Sequence, residues 1–180
     1  LELQGGLATP NGLDRSNGFA DTLKKLAPDV RLIQRPTEWT ADMAADAAQN
    51  VLTQNPSLTG IFMASELMAT AVNAQLKRAG KDAAVGQADS VIRVAIDGTP
   101  QGLQLIRDGA LDATVSQPLS AYATKTAELI ELVSKGGKIE LGPKPDGQVI
   151  DTPVGPQYQL NATLVTKENV DDSGLWANQL

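Results

Sequence analysis

The chain has 180 residues, a net charge of −6, no cysteine, no histidine and 42% hydrophobic residues. That apolar share suffices for a folded core and argues against global disorder. Without Cys or His there are no thiol nucleophiles, histidine bases, serine–histidine triads or ordinary zinc sites, and an acidic chain whose Lys24-Lys25 and Lys77-Arg78 stay isolated is a poor nucleic-acid ligand.

The chain opens on Leu1-Glu2-Leu3-Gln4-Gly5, which reads like the end of a β-strand and so like a piece of a longer polypeptide. No signal peptide is visible, and no apolar run approaches the ~20 residues of a membrane-spanning helix. Phe19, Leu23 and Leu26 share one face of a helix expected over 14–26. Pro28-Asp29 breaks it, and 30–33 reads as a strand. A helix follows over 41–53, stopped by Asn55-Pro56. Residues 59–63 read as a strand and 66–79 as a helix with Gly80 at its C′ position. The stretch 81–90 lacks periodicity and reads as a loop.

Residues 91–96 form a strong strand pattern. Thr99-Pro100 then offers an N-cap with proline at N1, for a helix that Gly109 ends. A strand over 113–116 and a helix over 119–134 come next. The Gly- and Pro-rich run 136–157 contains one short extended segment at Val149-Ile150, and 160–165 looks like a last strand before a polar tail. Alternating strands and helices joined by short loops predict an α/β fold: a doubly wound, mostly parallel open sheet flanked by helices.

In such sheets ligands sit at the carboxyl ends of strands, near a switch point. The residues expected there are Trp39, Ser65-Glu66, Asp97 and Gln117, with Arg15 beyond the opening strand. Together they suit a polyhydroxy ligand. Arg15 offers a rigid donor fork, Asp97 accepts, Gln117 does both, Ser65 adds a hydroxyl, and Trp39 can lie flat on the C–H face of a sugar ring. Each has a plainer reading: turn chemistry for Asp97, a surface ion pair for Arg15, a half-buried anchor for Trp39, a hinge for Gln117, an N-cap for Ser65. Glu66 reads as complementing a helix dipole, Tyr158 and Trp176 as packing groups or tail anchors, and Asp171-Asp172 as solvated. No metal or cofactor is expected.

At these residues the chain resembles the ribose-type periplasmic sugar-binding proteins of ABC importers. Arg15-Ser16-Asn17-Gly18-Phe19 is similar to that family's Arg-x-x-Gly-Phe helix start, and Thr37-Glu38-Trp39-Thr40 takes the place of its aromatic strand exit. The run from Phe62 to Ala69 resembles its Asn-Asp-x-Met-Ala junction. Ala95-Ile96-Asp97-Gly98-Thr99-Pro100 resembles its Asp-Gly-Thr-Pro turn. The segments Ile106-Arg107-Asp108-Gly109 and Ala113-Thr114-Val115-Ser116-Gln117-Pro118 resemble the stretch that follows, and Val165 to Val170 a common ending.

The resemblance implies a non-enzymatic solute receptor, periplasmic or lipid-anchored outside the cell, that passes a monosaccharide or polyol to an ABC permease. It implies that Arg15, Trp39, Ser65, Asp97 and Gln117 line the cleft. Ser65-Glu66 stands where the family usually has Asn-Asp; the shorter serine favours a ligand other than ribose. The family is two-lobed, and its N-terminal lobe is largely absent from this sequence. Residues 1–117 are then the C-terminal ligand-binding lobe, 118–150 a helix and short strand that pack on the missing lobe, and 151–180 the hinge return, last strand and tail. The helix at 119–134 needs a cover for its apolar face: an N-terminal fragment, a neighbouring copy or rearranged packing. Two rival functions remain, the effector-binding core of a lactose-repressor-type regulator and an enzyme on a doubly wound sheet, although no phosphate-binding glycine loop is present.

Overall fold

The computed structural model describes all 180 residues. Short extended segments alternating with helices give five parallel strands: β1 (Glu2–Gln4), β2 (Gln34–Pro36), β3 (Gly60–Met63), β4 (Ile92–Asp97) and β5 (Ala113–Ser116). A last strand, β9 (Thr163–Val165), adds antiparallel to β5, so that the order across the sheet is β2-β1-β3-β4-β5-β9. The chain moves from β1 to one side and returns past it to β3, which places the switch point between these two central strands.

Helix α1 (Pro10–Leu26) covers one face, where Phe19 stacks on Phe62 with ring centroids 4.1 Å apart. Helices α2 (Ala41–Gln54), α3 (Ala69–Arg78) and α4 (Pro100–Arg107) follow right-handed crossovers onto the other. There Leu3, Ile61, Met63 and Ala95, one strand face at period two, meet Ala44, Ala48, Val51, Val72, Leu76, Leu103 and Ile106 in the main core. Each fully buried Val, Leu, Ile or Met side chain of this set contributes about 1.5–3 kcal/mol.

Helix boundaries follow local chemistry. Thr9, Thr40 and Thr99 cap α1, α2 and α4 through their hydroxyls, and Pro10 and Pro100 occupy first-turn positions. Gly80 and Gly109 adopt φ of 66° and 69° and close α3 and α4 with paired backbone bonds, Lys81 N–H to Leu76 O with Gly80 N–H to Lys77 O, and Ala110 N–H to Leu105 O with Gly109 N–H to Ile106 O.

After β5 the chain enters a second unit. Helix α5 (Leu119–Ser134) precedes an antiparallel sheet of β6 (Gly142–Lys144), β7 (Gly147–Thr152) and β8 (Gly155–Leu160). Lys125 joins helix to sheet, its Nζ 3.0 Å from Asp146 and 5.1 Å from the Tyr158 ring centroid. No residue of α5 is buried, and Ile130, Leu132 and Val133 are exposed.

Several expectations shift. Helix α1 begins at Pro10 rather than at 14. Residues 30–33 lead into the strand, which lies at Gln34–Pro36. The segment at 66–79 divides into a 3-10 turn (Glu66–Met68) and α3. The Gly- and Pro-rich run holds three strands, and residue 150 falls inside β7. The tail is not merely polar: Val170 and Leu175 enter the core, and Arg107 holds Asp171 and Asn178 at 2.8 and 2.9 Å.

Candidate functional site

The carboxyl ends of β1, β3, β4 and β5 converge on the side chain of Asp97, the last residue of β4. Its Oδ1 accepts from Arg15 Nη1 at 3.0 Å and from Gln117 Nε2 at 2.8 Å; its Oδ2 accepts from Ser65 Oγ at 2.6 Å. Arg15 comes from α1 after β1, Ser65 from the exit of β3, Gln117 from the exit of β5. The switch-point geometry therefore brings residues 82, 32 and 20 positions away onto one carboxylate.

Arg15 is held at both ends of its reach. Nη1 also donates to Ala64 O at 2.6 Å, and the guanidinium carbon lies 5.5 Å from the Trp39 ring centroid, within cation–π range. Trp39 itself lies across the backbone of Gly5 and Gly6. A Cβ at Gly5 would stand 2.2 Å from the indole, and one at Gly6 2.8 Å from Nε1. These two glycines are a floor for the ring, not a phosphate loop. A Cβ at Gly12 would meet Gly6 O at 2.1 Å, so glycine there lets α1 approach and brings Arg15 to the rim.

The backbone is strained here. Glu38, Trp39 and Asp97 have φ of 48°, 64° and 139°, conformations that cost non-glycine residues about 1–3 kcal/mol each and persist only when the surroundings over-determine them. Asp97 has such surroundings. Its carbonyl accepts from Gln117 N–H at 3.1 Å and from the indole N–H of Trp176 at 3.4 Å, so the tail anchor reaches the rim.

Arg15 and Asp97 neutralise one another as an ion pair. Capacity is left over. A carboxylate offers about four acceptor sites and a guanidinium five N–H donors; Asp97 uses three, only Arg15 Nη1 is engaged, and Gln117 Oε1 accepts nothing. The arrangement can thus accept from and donate to hydroxyls at once. It has no group of three or more acidic side chains able to hold a metal ion.

All five residues expected to line the cleft lie at this edge, four of them in one hydrogen-bonded cluster and Trp39 beside it. Ser65 is both N-cap, accepting from Leu67 N–H at 3.3 Å, and donor to Asp97. Glu66 was missed as more than a dipole partner. It is buried and binds the turn after Asp97; no local pattern signals this, because its partners lie 32 or more positions away. A cavity of about 420 Å³ lies elsewhere, toward the amino ends of the strands on the α1 face, lined by Phe19, Leu23, Val30, Phe62, Ile92 and Val94. Its lining is mostly apolar, with Arg31 and Asn55 paired to each other near its edge, and it does not compete as the site.

A family model for the periplasmic binding protein domain matches residues 1–138. The chain belongs to this family. It is 28% identical over 151 residues to the D-allose-binding periplasmic protein of Escherichia coli K12, covering 83% of this chain and 47% of that protein. It is 31% identical over 140 residues to the ribose import binding protein of Salmonella typhimurium, covering 78% and 45%. Among solved structures, an ABC transporter periplasmic solute binding protein of Actinobacillus succinogenes with bound D-allose matches with a TM-score of 0.74 at 22% identity, over 95% of this chain and 53% of that one. The sheet order and flanking helices are those of a periplasmic binding protein fold. The chain spans about half the length of the curated relatives it matches. No helix is long and apolar enough to cross a membrane.

Proposed function

We propose that this chain is the ligand-gripping lobe of a sugar- or polyol-binding receptor that hands its cargo to an ABC permease and does no chemistry on it. One observation carries the reading: Arg15, Ser65 and Gln117 converge on the Asp97 carboxylate at the strand rim of a periplasmic binding protein lobe. In this reading the unused acceptor site of Asp97, Oε1 of Gln117 and the free N–H groups of Arg15 take sugar hydroxyls, while Trp39 packs on the ring. Hydroxyls both donate and accept, and a site whose one cation is already paired with Asp97 suits a neutral polyol better than a phosphate. The names of the relatives, D-allose-binding and ribose import binding, support a sugar. Ser65, too short for a bidentate contact, favours a ligand other than ribose.

A second lobe completes the receptor. The partial coverage of the relatives and the unburied apolar residues of α5 both support it. The parallel sheet through residue 117 is then one lobe, α5 with β6–β8 serves the other, and the return into β9 brings the tail back to the first. Closure over a bound sugar about the crossings near Pro118 and Asn161 makes the form that docks on the permease. Its place is the periplasm, or the outer face of the membrane on a lipid anchor.

The test is a thermal-shift screen of the full-length protein against pentoses, hexoses, deoxysugars and polyols. A ligand at 100 times its Kd adds about 2.7 kcal/mol of stability. Arg15→Ala and Asp97→Ala should each weaken a hit by about 1–3 kcal/mol in calorimetry. A screen without any sugar or polyol hit, or wild-type affinity in both variants, refutes the reading.

A further inference from the structure

We infer that Glu66 is a positioning residue of the rim: its buried carboxylate clamps the turn that follows Asp97 and so sets the direction in which the Asp97 side chain points. The consequence for ligand binding rests on the sugar-site reading; the clamp itself does not.

Four donors meet this carboxylate. Gly98 N–H reaches Oε1 at 2.9 Å and Thr99 N–H reaches Oε2 at 2.8 Å. The hydroxyls of Thr114 and Thr99 add one short bond to each oxygen. None of these donors lies on the 3-10 turn that carries Glu66; all come from the β4–α4 turn or from β5. Carboxylates are almost never fully buried unless paired, and no Lys or Arg pairs with this one. It is satisfied by oriented amide and hydroxyl dipoles, at the amino end of α4 where unbonded N–H groups concentrate.

The neighbouring chain is shaped around it. A Cβ on Gly102 would stand 2.0 Å from Glu66 Cδ, so α4 leaves its first turn bare to admit the group. A Cβ on Gly98 would stand 2.2 Å from Ser116 Oγ, and Gly98 has φ 73°, so the turn itself is pressed against β5. Asp97, at φ 139°, is held on its amino side by the β4–β5 ladder, where it pairs with Ser116. On its carboxyl side the next two peptide groups both end on Glu66. With both sides held, the carboxylate is delivered to Arg15, Ser65 and Gln117 rather than left to swing. Ser65 and Glu66 are adjacent, so one strand exit supplies both a direct partner of Asp97 and the clamp behind it.

The experiment measures the Arg15–Asp97 coupling by a double-mutant cycle in urea unfolding of the 180-residue chain, in three backgrounds. In the unaltered chain the coupling should multiply the folding equilibrium constant about tenfold. Glu66→Gln keeps the shape but turns an amide N–H₂ toward one of the two backbone N–H groups. In that background the coupling should fall below about twofold, and hydrogen exchange of the Gly98 and Thr99 amides should quicken while that of Phe62 does not. If Glu66→Gln does not fold, Glu66→Asp, which withdraws both oxygens by one methylene, replaces it with the same expected result. Thr114→Val is the control. It removes one hydroxyl from the carboxylate but leaves both amide contacts, so stability falls and the coupling stays near tenfold. Coupling that persists in the Glu66 variant while stability falls overturns the positioning role and leaves a merely structural one. The ligand arm uses D-allose and D-ribose on the full-length protein: wherever either sugar binds, Glu66→Gln should weaken it about tenfold. Unchanged affinity in Asp97→Ala there refutes the sugar site and not the clamp.

Discussion

Breaking the Arg15–Asp97 pair measures how firmly the rim is built before any ligand arrives. The partners sit 3.0 Å apart with side chains 15% and 19% exposed. That is neither the fully solvated pair, for which coupling is about 0–1 kcal/mol, nor the fully buried one, where removal of one partner costs about 3–5 kcal/mol. Between these limits a coupling of about 1–2 kcal/mol is expected. Asp97→Ala alone should cost more than Arg15→Ala alone. It strands three donors, whereas losing Arg15 leaves Asp97 with Ser65 and Gln117 and frees only the Ala64 carbonyl. Each variant and the double variant would be unfolded in urea and followed by circular dichroism; at this chain length 1 kcal/mol corresponds to a Tm shift of about 2–4 °C. Single effects that add to within about 0.3–0.5 kcal/mol would show that the two groups are energetically independent. The rim would then not be a preformed cluster.

Gly5→Ala should push the Trp39 ring from its floor, because the added Cβ lies 2.2 Å from the indole; overpacking of this kind costs about 1–3 kcal/mol, and a red-shifted emission of Trp39 in a Trp176→Phe background checks it. The α5–sheet contact should loosen at both pH extremes. Hydrogen bonds from Tyr158 and then Lys125 hold the Asp146 carboxyl below its ordinary 3.8, so its share of stability is present above that value and is lost as pH falls through the lower, folded one. The Asp146 carboxylate raises Tyr158 above 10.0, and hydrogen bonds to Glu128 and Asp146 raise Lys125. Their shares are complete below the ordinary values and vanish as pH rises through the elevated ones; ultraviolet titration of tyrosinate in Tyr122→Phe should therefore place Tyr158 above 10.0. On the proposed two-lobed reading, calorimetry should find sugar affinity much weaker in the 180-residue chain than in the full-length protein, and equal affinity would show that one lobe suffices.

Local chemistry carried most of the fold. Thr40 before an alanine-rich period and Thr99-Pro100 before Leu103 and Ile106 mark α2 and α4. The same Thr-Pro signal at Thr9-Pro10 starts α1, and placing the start at 14 overlooked it. The edge strand misled because its three residues, Gln34, Arg35 and Pro36, are all exposed. Hydrophobicity pointed instead to 30–33, which line the open groove of the α1 face, and only pairing with β1 reveals the strand. Pro36 is tolerated there because an edge strand pairs on one side. The run 136–157 showed only one short extended segment for a related reason. Pro143 sits within the edge strand β6, Pro153 in the turn and Pro156 near the start of β8, and the only buried side chain of this small sheet is Val149.

The rim was legible for a different reason than Glu66 was not. Parallel βα units put each post-strand residue at one edge of the sheet, so Ser65, Asp97 and Gln117 could be grouped from strand ends alone. Which of them touch, and what lies beneath, depends on contacts between distant segments. That difference bears on how the proposed site would close. Asp97 holds three donors supplied by the lobe itself, so a hydroxyl that reaches it joins a formed cluster. Little side-chain entropy is left to lose at that moment, which favours binding through preorganisation. The cost has been met in folding, in strained backbone at Trp39 and Asp97 and in a carboxylate buried at Glu66. The same prior pairing limits what one lobe can achieve, since the remaining donors and acceptors face one side of a ligand only. Affinity for a polyol, whose hydroxyls point to every side, then has to come from polar groups that a second lobe brings to the opposite face.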